Sequence, residues 1–576
     1  MSDSPSATER HATLDDYCAA GSIAPIDVAS AQMLVSIARR SGDRPEPPLL
    51  AWVGMCLALR TPRDGHTCVD LSRIADWAGR NDPAWHGHPP WPHEPQPWVD
   101  ALMSVPTLVG SPGERTPFIL DQTIPGTPRL YVARALAEEQ AIADSLLLDG
   151  SRRISVLLGG PGSGKTYTLA KDLIDLFAVA ERPPRIALAA PTGKAAARMT
   201  QALEDRCAKA KASEAVLQAV RAAPATTVHR LLGYAPDRTP QFAYGPDNPL
   251  DYDIVVVDEV SMLSCSLLHR LLAALAPTTA IRLVGDPDQL TSVESGSVLA
   301  DIAAACRRAG SPLGARLTEL TGQHRYASDS AIAALASAIR HGDAAAAVAL
   351  LEGGADSVEW IEPNDTARMQ ATESLVTEHA RRIRDLVQSD SGTADDRAVR
   401  ALGEQARLQV LCGTRGGRHG VANWNRRIER RLGLAAGEVW YAGRPVMITR
   451  NNYDLALYNG DVGLVTPADE RQAEGSRMDA VFRLGDETIR VPVARLEDVL
   501  TVHALTIHKS QGSEYEHAIV VLPEEGNRIL TRELLYTAVT RAARHLRVIG
   551  SRTAIVEAIG RPIRRATGLE MRLCGG

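Results

Sequence analysis

No cysteine in this 576-residue chain stands in a C-x-x-C pair; the eight are scattered singly from Cys18 to Cys574. Neither a zinc nor an iron–sulfur centre is expected, and reduced thiols are. Long apolar runs are missing as well: nothing approaches the ~20 residues a membrane-spanning helix needs. The polar N-terminus has no signal-peptide layout, so a cytoplasmic protein is expected. Excess positive charge is absent too. The formal net charge of −6 gives no global sign of nucleic-acid binding, so a basic track must be argued from motifs. Phenylalanine is scarce, with four in the chain, so any ring stacking must rely on His, Tyr or Trp.

Lysine is the most telling shortage. Only six of the 63 basic residues are lysine: Lys165, Lys171, Lys194, Lys209, Lys211 and Lys509. A chain that uses arginine almost everywhere keeps lysine at position 165, where a compact ammonium fits between phosphates and a planar guanidinium does not. Gly159, Gly160, Pro161, Gly162, Ser163, Gly164, Lys165 and Thr166 form a complete phosphate-binding loop. The apolar run Ile154–Leu158 before it reads as a buried strand, and Lys165–Ala180 has helical spacing. The glycines let successive N–H groups turn toward the phosphates, and the helix N-terminus adds partial positive charge. Lys165 reaches the β- and γ-phosphates, and the Thr166 hydroxyl can ligate Mg²⁺.

Two further strand ends carry chemistry. Val255-Val-Val ends on Asp258 and Glu259; Asp258 suits Mg²⁺, and Glu259 suits the water that attacks in ATP hydrolysis. Leu283-Val-Gly-Asp-Pro-Asp-Gln289 ends another strand, and Gln289 can sense the γ-phosphate or its water.

The length predicts three or four domains. Residues 1–130 hold five of the eight tryptophans and read as a small, mostly helical domain. His86, His88 and His93 lie there in a proline-rich loop with no helical ligand spacing, and a solvated loop explains them. From about Arg134 onward, β-rich runs alternate with helical stretches, the pattern of parallel sheets with crossover helices. Predicted strands are Ile154–Leu158, Arg185–Ala190, Ile254–Asp258 and Ala280–Gly285, then Leu408–Leu411, Thr501–Ala504 and His517–Leu522. Predicted helices include Gly420–Leu432 and Arg532–Thr540. The expected fold class is α/β: two tandem parallel-sheet domains, 131–330 and 331–576, RecA-like by the family resemblance that the motifs carry. A small SH3-like β-barrel is expected as an insertion at about 433–500, where alternating segments meet turn signals at Asn459-Gly460 and Gly485-Asp486.

The order of motifs resembles superfamily 1 helicases, and specifically the RecD family, the α subunit of bacterial exodeoxyribonuclease V. The matching segments include Ala190–Arg198, Thr226–Gly233, Asp258–Met262, Gly285–Ser297, Leu320–Tyr326, Thr506–Glu514 and Tyr536–Ala542. The resemblance implies an ATP- and Mg²⁺-dependent DNA helicase, in a bacterial cytoplasm and associated with the nucleoid. It would act on single-stranded and duplex DNA with 5′→3′ polarity, beside RecB-like and RecC-like subunits in a heterotrimer. A stand-alone RecD-like helicase and an assembly-regulating ATP-binding subunit are the alternatives. Nothing resembles a nuclease centre.

By the same resemblance Gln140 reads adenine, and Arg325 and Arg541 reach the γ-phosphate from the second lobe. The nucleotide-binding set also takes in Tyr167, Gly512 and Glu514. Thr192, His229, Thr506 and His508 fall in strand-contacting segments, with a capping or core role as the competing reading for the histidines. Arg415, Arg418, Arg426 and Arg430 cluster around a predicted helix, as a DNA contact or a solvated face. Gly233–Tyr252 occupies the position of a duplex-splitting hairpin, or is a plain surface loop.

Overall fold

The computed structural model describes residues 12–574 apart from 41–45, 75–76, 78–90, 125, 148–153, 224, 236–241, 321, 323–329, 435–437, 453, 456, 469–477 and 485–486. The N-terminal unit combines helices with a small sheet. Helix Leu49–Arg60 is apolar on nearly every side and is accordingly its core, with Val53, Met55, Cys56 and Leu57 fully buried. Trp98 stacks on Trp91 at 5.9 Å, and Tyr17 meets Trp91 edge-on at 5.0 Å. Beside these lie β1 (Cys68–Asp70), β2 (Val109–Gly110), β3 (Phe118–Asp121) and β4 (Arg129–Val132), in the order β1-β4-β3-β2. The helical expectation holds, but this sheet was not anticipated.

The first lobe is a six-stranded, wholly parallel sheet. Its strands are β5 (Ile154–Gly159), β6 (Ile186–Ala190), β7 (Ala225–Thr227), β8 (Ile254–Val257), β9 (Ala280–Gly285) and β10 (Leu317–Leu320). Their order is β10-β5-β9-β8-β6-β7. Helices cover both faces, so Val255, Val256 and Val257 are all fully buried. Such burial stabilises by ~1.5–3 kcal/mol per side chain. Because β9 lies between β5 and β8, the loop after β9 stands between the phosphate loop and the Asp258-Glu259 pair.

The second lobe begins after helices Ala331–His341 and Ala344–Glu352, with β11 (Val358–Ile361) and β12 (Leu408–Cys412). An antiparallel five-stranded insertion follows: β13 (Pro445–Ile448), β14 (Val462–Pro467), β15 (Met478–Leu484), β16 (Glu487–Pro492) and β17 (Val499–Thr501). The lobe resumes with β18 (Ala504–Thr506), β19 (Tyr515–Val521) and β20 (Ala542–Ile549), giving the parallel order β11-β20-β19-β12-β18. One expected strand is corrected. Thr501–Ala504 is the joint between β17 of the insertion and β18 of the lobe, two short strands of different sheets.

A C-terminal segment ties the N-terminal unit to the first lobe. Glu139, fully buried on helix Ala133–Leu147, accepts from Thr67 Oγ1 at 2.5 Å, Tyr131 Oη at 3.1 Å and Thr567 Oγ1 at 3.0 Å. The Gly568 N–H donates to the same carboxylate at 3.2 Å, and Arg572 bridges Asp121 beside it. Among the described residues no helix is long and apolar enough to cross a membrane.

Candidate nucleotide site at the lobe seam

The loop after β5 needs backbone that only glycine adopts freely: Gly162 has φ 79° and Gly164, which caps helix Lys165–Val179, has φ 93°. A side chain at Gly159 would collide with Ser163 Oγ, and one at Gly160 would stand 2.9 Å from Tyr536 Oη. Lys165 Nζ donates to the carbonyls of Gly159 at 2.5 Å and Gly160 at 3.1 Å, so the ammonium lies against the loop.

After β8 the chain turns through Asp258 into Glu259, whose φ of 52° and ψ of 41° are left-handed. Apart from Lys211, it is the only non-glycine with positive φ among the described residues. Such a conformation costs of order 1–3 kcal/mol and is held where function needs it. Glu259 N donates to Asp258 Oδ1 at 2.8 Å. Burial, and then the neighbouring Glu259 carboxylate, push the Asp258 acid up to about 6, with Lys165 opposing. This is the electrostatic setting of a site built to receive a cation.

In the loop after β9, Gln289 donates from Nε2 to Asp286 Oδ2 at 3.1 Å, while its Oε1 is buried with no partner. Ser163 Oγ is likewise buried and unpartnered. Two orphaned polar atoms beside a glycine cradle fit a phosphate-bearing ligand with its metal.

The second lobe closes the site from the opposite side. Arg541, 4% exposed, donates to the carbonyls of Ser513 and Thr537 at 3.0 Å each. It shares one cavity of ≈ 410 Å³ with Lys165, Thr166, Asp258, Glu259 and Gln289. Pro161, Gly162, Gly164, Tyr167, Gly512 and Glu514 also line it. Gln140 does not: it is exposed on helix Ala133–Leu147, outside that lining. Arg325 lies outside the described residues.

Several residues given no role from sequence hold the seam. Tyr536 Oη donates to Asp286 Oδ2 at 3.0 Å, so one carboxylate joins Gln289 to the second lobe. Leu290 N donates to Thr537 Oγ1 at 2.9 Å, and Gln511 Nε2 donates to Leu290 O at 3.0 Å. Arg198 pairs with Glu514 at 2.5 Å and donates to Gly512 O at 3.1 Å. Both Arg198 and Tyr536 sit inside recognisable motifs, which was the available signal.

A second cleft of ≈ 490 Å³ opens between the first lobe, helix Ala394–Gln405 and the β insertion. Lys194, Thr227 and Arg230 face Tyr458, Asp461 and Arg483 there, and the Arg230 guanidinium lies 4.7 Å from the Tyr458 ring centre. None of the four expected strand-contacting residues lines it, although Gly193 and Arg230 are immediate neighbours of two. Thr192 caps helix Gly193–Lys209, and Thr506 caps the turn Ile507–Ser510. His229 stacks on Phe242 at 6.3 Å with Tyr234 edge-on at 5.5 Å, and burial lowers its basicity. His508 is lowered by burial and by Arg415. Arg415, Arg418, Arg426 and Arg430 are exposed. In the loop 233–252, residues 236–241 lie outside the described set, and Gly245 and Asn248 close a tight turn. Of the three expected loop histidines only His93 is described, and no group of three His, Cys, Asp or Glu that could hold a metal occurs among the described residues.

Comparison with known proteins now decides the family. The family "RecBCD enzyme subunit RecD, N-terminal domain" matches residues 19–131, an AAA domain matches 142–295, and a UvrD-like helicase C-terminal domain matches 501–549. The RecBCD enzyme subunit RecD of Mycolicibacterium smegmatis is 40% identical, over 95% of this chain and 97% of that protein. The chain belongs to the RecD family. RecD of Mycobacterium tuberculosis strain H37Rv is 38% identical over 100% of this chain and 99% of its own length. The ATP-dependent RecD2 DNA helicase of Deinococcus radiodurans is 31% identical over 85% of this chain but 59% of its own. Among solved structures, a Pif1 helicase from Candida albicans aligns loosely, with 16% identity and a TM-score of 0.36 over 73% of this chain and 95% of that one.

Proposed function

We propose that this chain couples ATP hydrolysis to movement along single-stranded DNA and to duplex unwinding, as the RecD-type motor of a RecBCD-like heterotrimer. The observation that carries the reading is the shared cavity in which Lys165 and Glu259 of one lobe face Arg541 of the other. Glu259, fixed by its left-handed backbone, orients the attacking water. Lys165 and Arg541 neutralise charge that develops on the transferred phosphoryl group, and Arg325 joins them by family resemblance. Thr166 and Asp258 are the residues that would hold Mg²⁺, whose charge would offset that of the phosphates. Gln289 senses the reacting end of the nucleotide and passes its position through Asp286 to Tyr536. Hydrolysis thereby changes the bonds that hold the seam, and the lobes move relative to one another. Gln140 is assigned to adenine by resemblance, and it needs helix Ala133–Leu147 to approach the cleft.

Lys165, Glu259, Gln289 and Arg541 around one cavity argue against a purely assembly-timing role. Identity of 40% and 38% with the mycobacterial RecD subunits, set against 31% with RecD2, favours a subunit over a stand-alone helicase. The strand runs between the lobes past Thr192, His229, Thr506 and His508 with 5′→3′ polarity, and the RecB-like and RecC-like partners supply the nuclease. The test is pull-down from native lysate followed by unwinding of 5′- and 3′-tailed duplexes. Co-purifying large subunits and a 5′-tail preference are expected. A 3′-tail preference removes the polarity, and a pull-down that brings no large subunits removes the complex.

A further inference from the structure

A third cavity, of ≈ 350 Å³, lies where the N-terminal unit, the first lobe and the C-terminal segment meet. Five arginines line it: Arg73 and Arg129 from the N-terminal unit, Arg308 from the first lobe, and Arg564 and Arg565 from the C-terminal segment. Facing them are three carboxylates, Asp70, Asp301 and Glu570. The charge does not cancel. Asp70 accepts from Ser72, and burial with Glu139 nearby raises the Asp301 acid well above the usual carboxylate range.

Arg308 is offset by Glu570 and Arg565 by Asp301, but the other three arginines are poorly neutralised. Arg129, 6% exposed, has a buried Nε with no partner, and its remaining contacts are long ones to Thr127 at 3.3 and 3.5 Å. Its cross-strand neighbours are Asp70 and Asp121, yet it bridges neither, since Asp121 is taken by Thr123 and Arg572. Arg73 and Arg564 are exposed and form no ion pair among the described residues. A buried guanidinium with an unmade hydrogen bond, backed by further unpaired cations around a concave space, is arranged for a multivalent oxyanion.

We propose that this cavity binds a small phosphate-bearing anion of pyrophosphate to nucleotide size. Its position gives the ligand a role. Arg565 holds the loop that follows Gln289, donating to Glu294 O at 2.6 Å and Gly296 O at 2.7 Å, and Gly296 N donates to Gly65 O at 3.0 Å. An anion gripped by Arg73, Arg129 and Arg564 pins the N-terminal unit and the C-terminal segment onto the loop that carries the γ-phosphate sensor.

The test uses the full-length chain carrying Lys165→Ala, which weakens phosphate binding at the seam. Titration calorimetry with pyrophosphate is expected to give saturable binding tighter than about 1 mM. Adding Arg73→Gln and Arg564→Gln, both exposed and tolerant of change, weakens it ~10-fold or more. The same pair in the chain that keeps Lys165 leaves ATP hydrolysis without effector unchanged, and in the Lys165→Ala chain it abolishes the rise in melting temperature that pyrophosphate produces. Absence of saturation, or binding indifferent to the two substitutions, overturns the proposal. Equal binding of citrate overturns the phosphate class.

Discussion

The two lobes present opposite edges of their sheets to the nucleotide. The first offers the C-terminal ends of β5, β8 and β9, where the chain turns into the phosphate loop, the Asp258-Glu259 pair and the Gln289 loop. The second offers the N-terminal ends of β19 and β20, where Glu514 and Arg541 immediately precede each strand. At a strand's C-terminal end the following helix points its N–H groups at a ligand, so phosphate binding is built from backbone. At an N-terminal end no such donors converge, and only a long side chain can reach across. In the proposed function one lobe therefore holds the nucleotide, while the other reports on it.

The comparison breaks most visibly at Arg541. Arg541→Ala is expected to slow DNA-stimulated ATP hydrolysis ~10³-fold or more while nucleotide affinity changes far less. An equal loss in both would make the second lobe a binder rather than a reporter. Glu259→Gln should cut kcat ~10²–10⁴-fold with nucleotide binding retained, since it removes the water-orienting carboxylate alone. Tyr536→Phe sharpens the contrast, because it deletes one hydroxyl that links the second lobe to Asp286. About 10-fold slower translocation is expected from a lost charge-assisted hydrogen bond, with the seam otherwise intact. Stopped-flow measurement of stepping against ATP turnover separates this from a loss of catalysis. The smallest effect belongs to the second cleft. Arg230→Ala should weaken DNA binding a few-fold at all sequences and lower the salt slope by about 1, leaving ATP hydrolysis at saturating DNA unchanged.

What could be read from the sequence follows the same division. The phosphate loop, Glu259 and Gln289 announce themselves because chemistry restricts residue type over a short stretch. Ala280–Gly285 came out with its observed bounds because buried parallel strands read as continuous apolar runs. The N-terminal sheet was hidden because strands as short as Val109–Gly110 show no alternation. β17 and β18 fused into one expected strand because only Val502 and His503 separate them. Tyr536, Thr537 and Arg198 gained their roles only in three dimensions, through bonds between residues 247 to 316 positions apart. Thr192 and Thr506, expected to contact a strand, also cap a helix and a turn, a task sequence does not distinguish from holding a phosphate.

The buried carboxylate of Glu139 imposes an order on biosynthesis. Two of its donors, Thr67 and Thr567, emerge from the ribosome 500 residues apart, and until the later one arrives the acid must stay hydrated or be left partly unmet. The N-terminal unit can therefore fold early but dock late. A nascent chain cut short before position 565 would carry a finished ATP cleft on a loosely tethered partner domain, a species open to proteolysis at the joint.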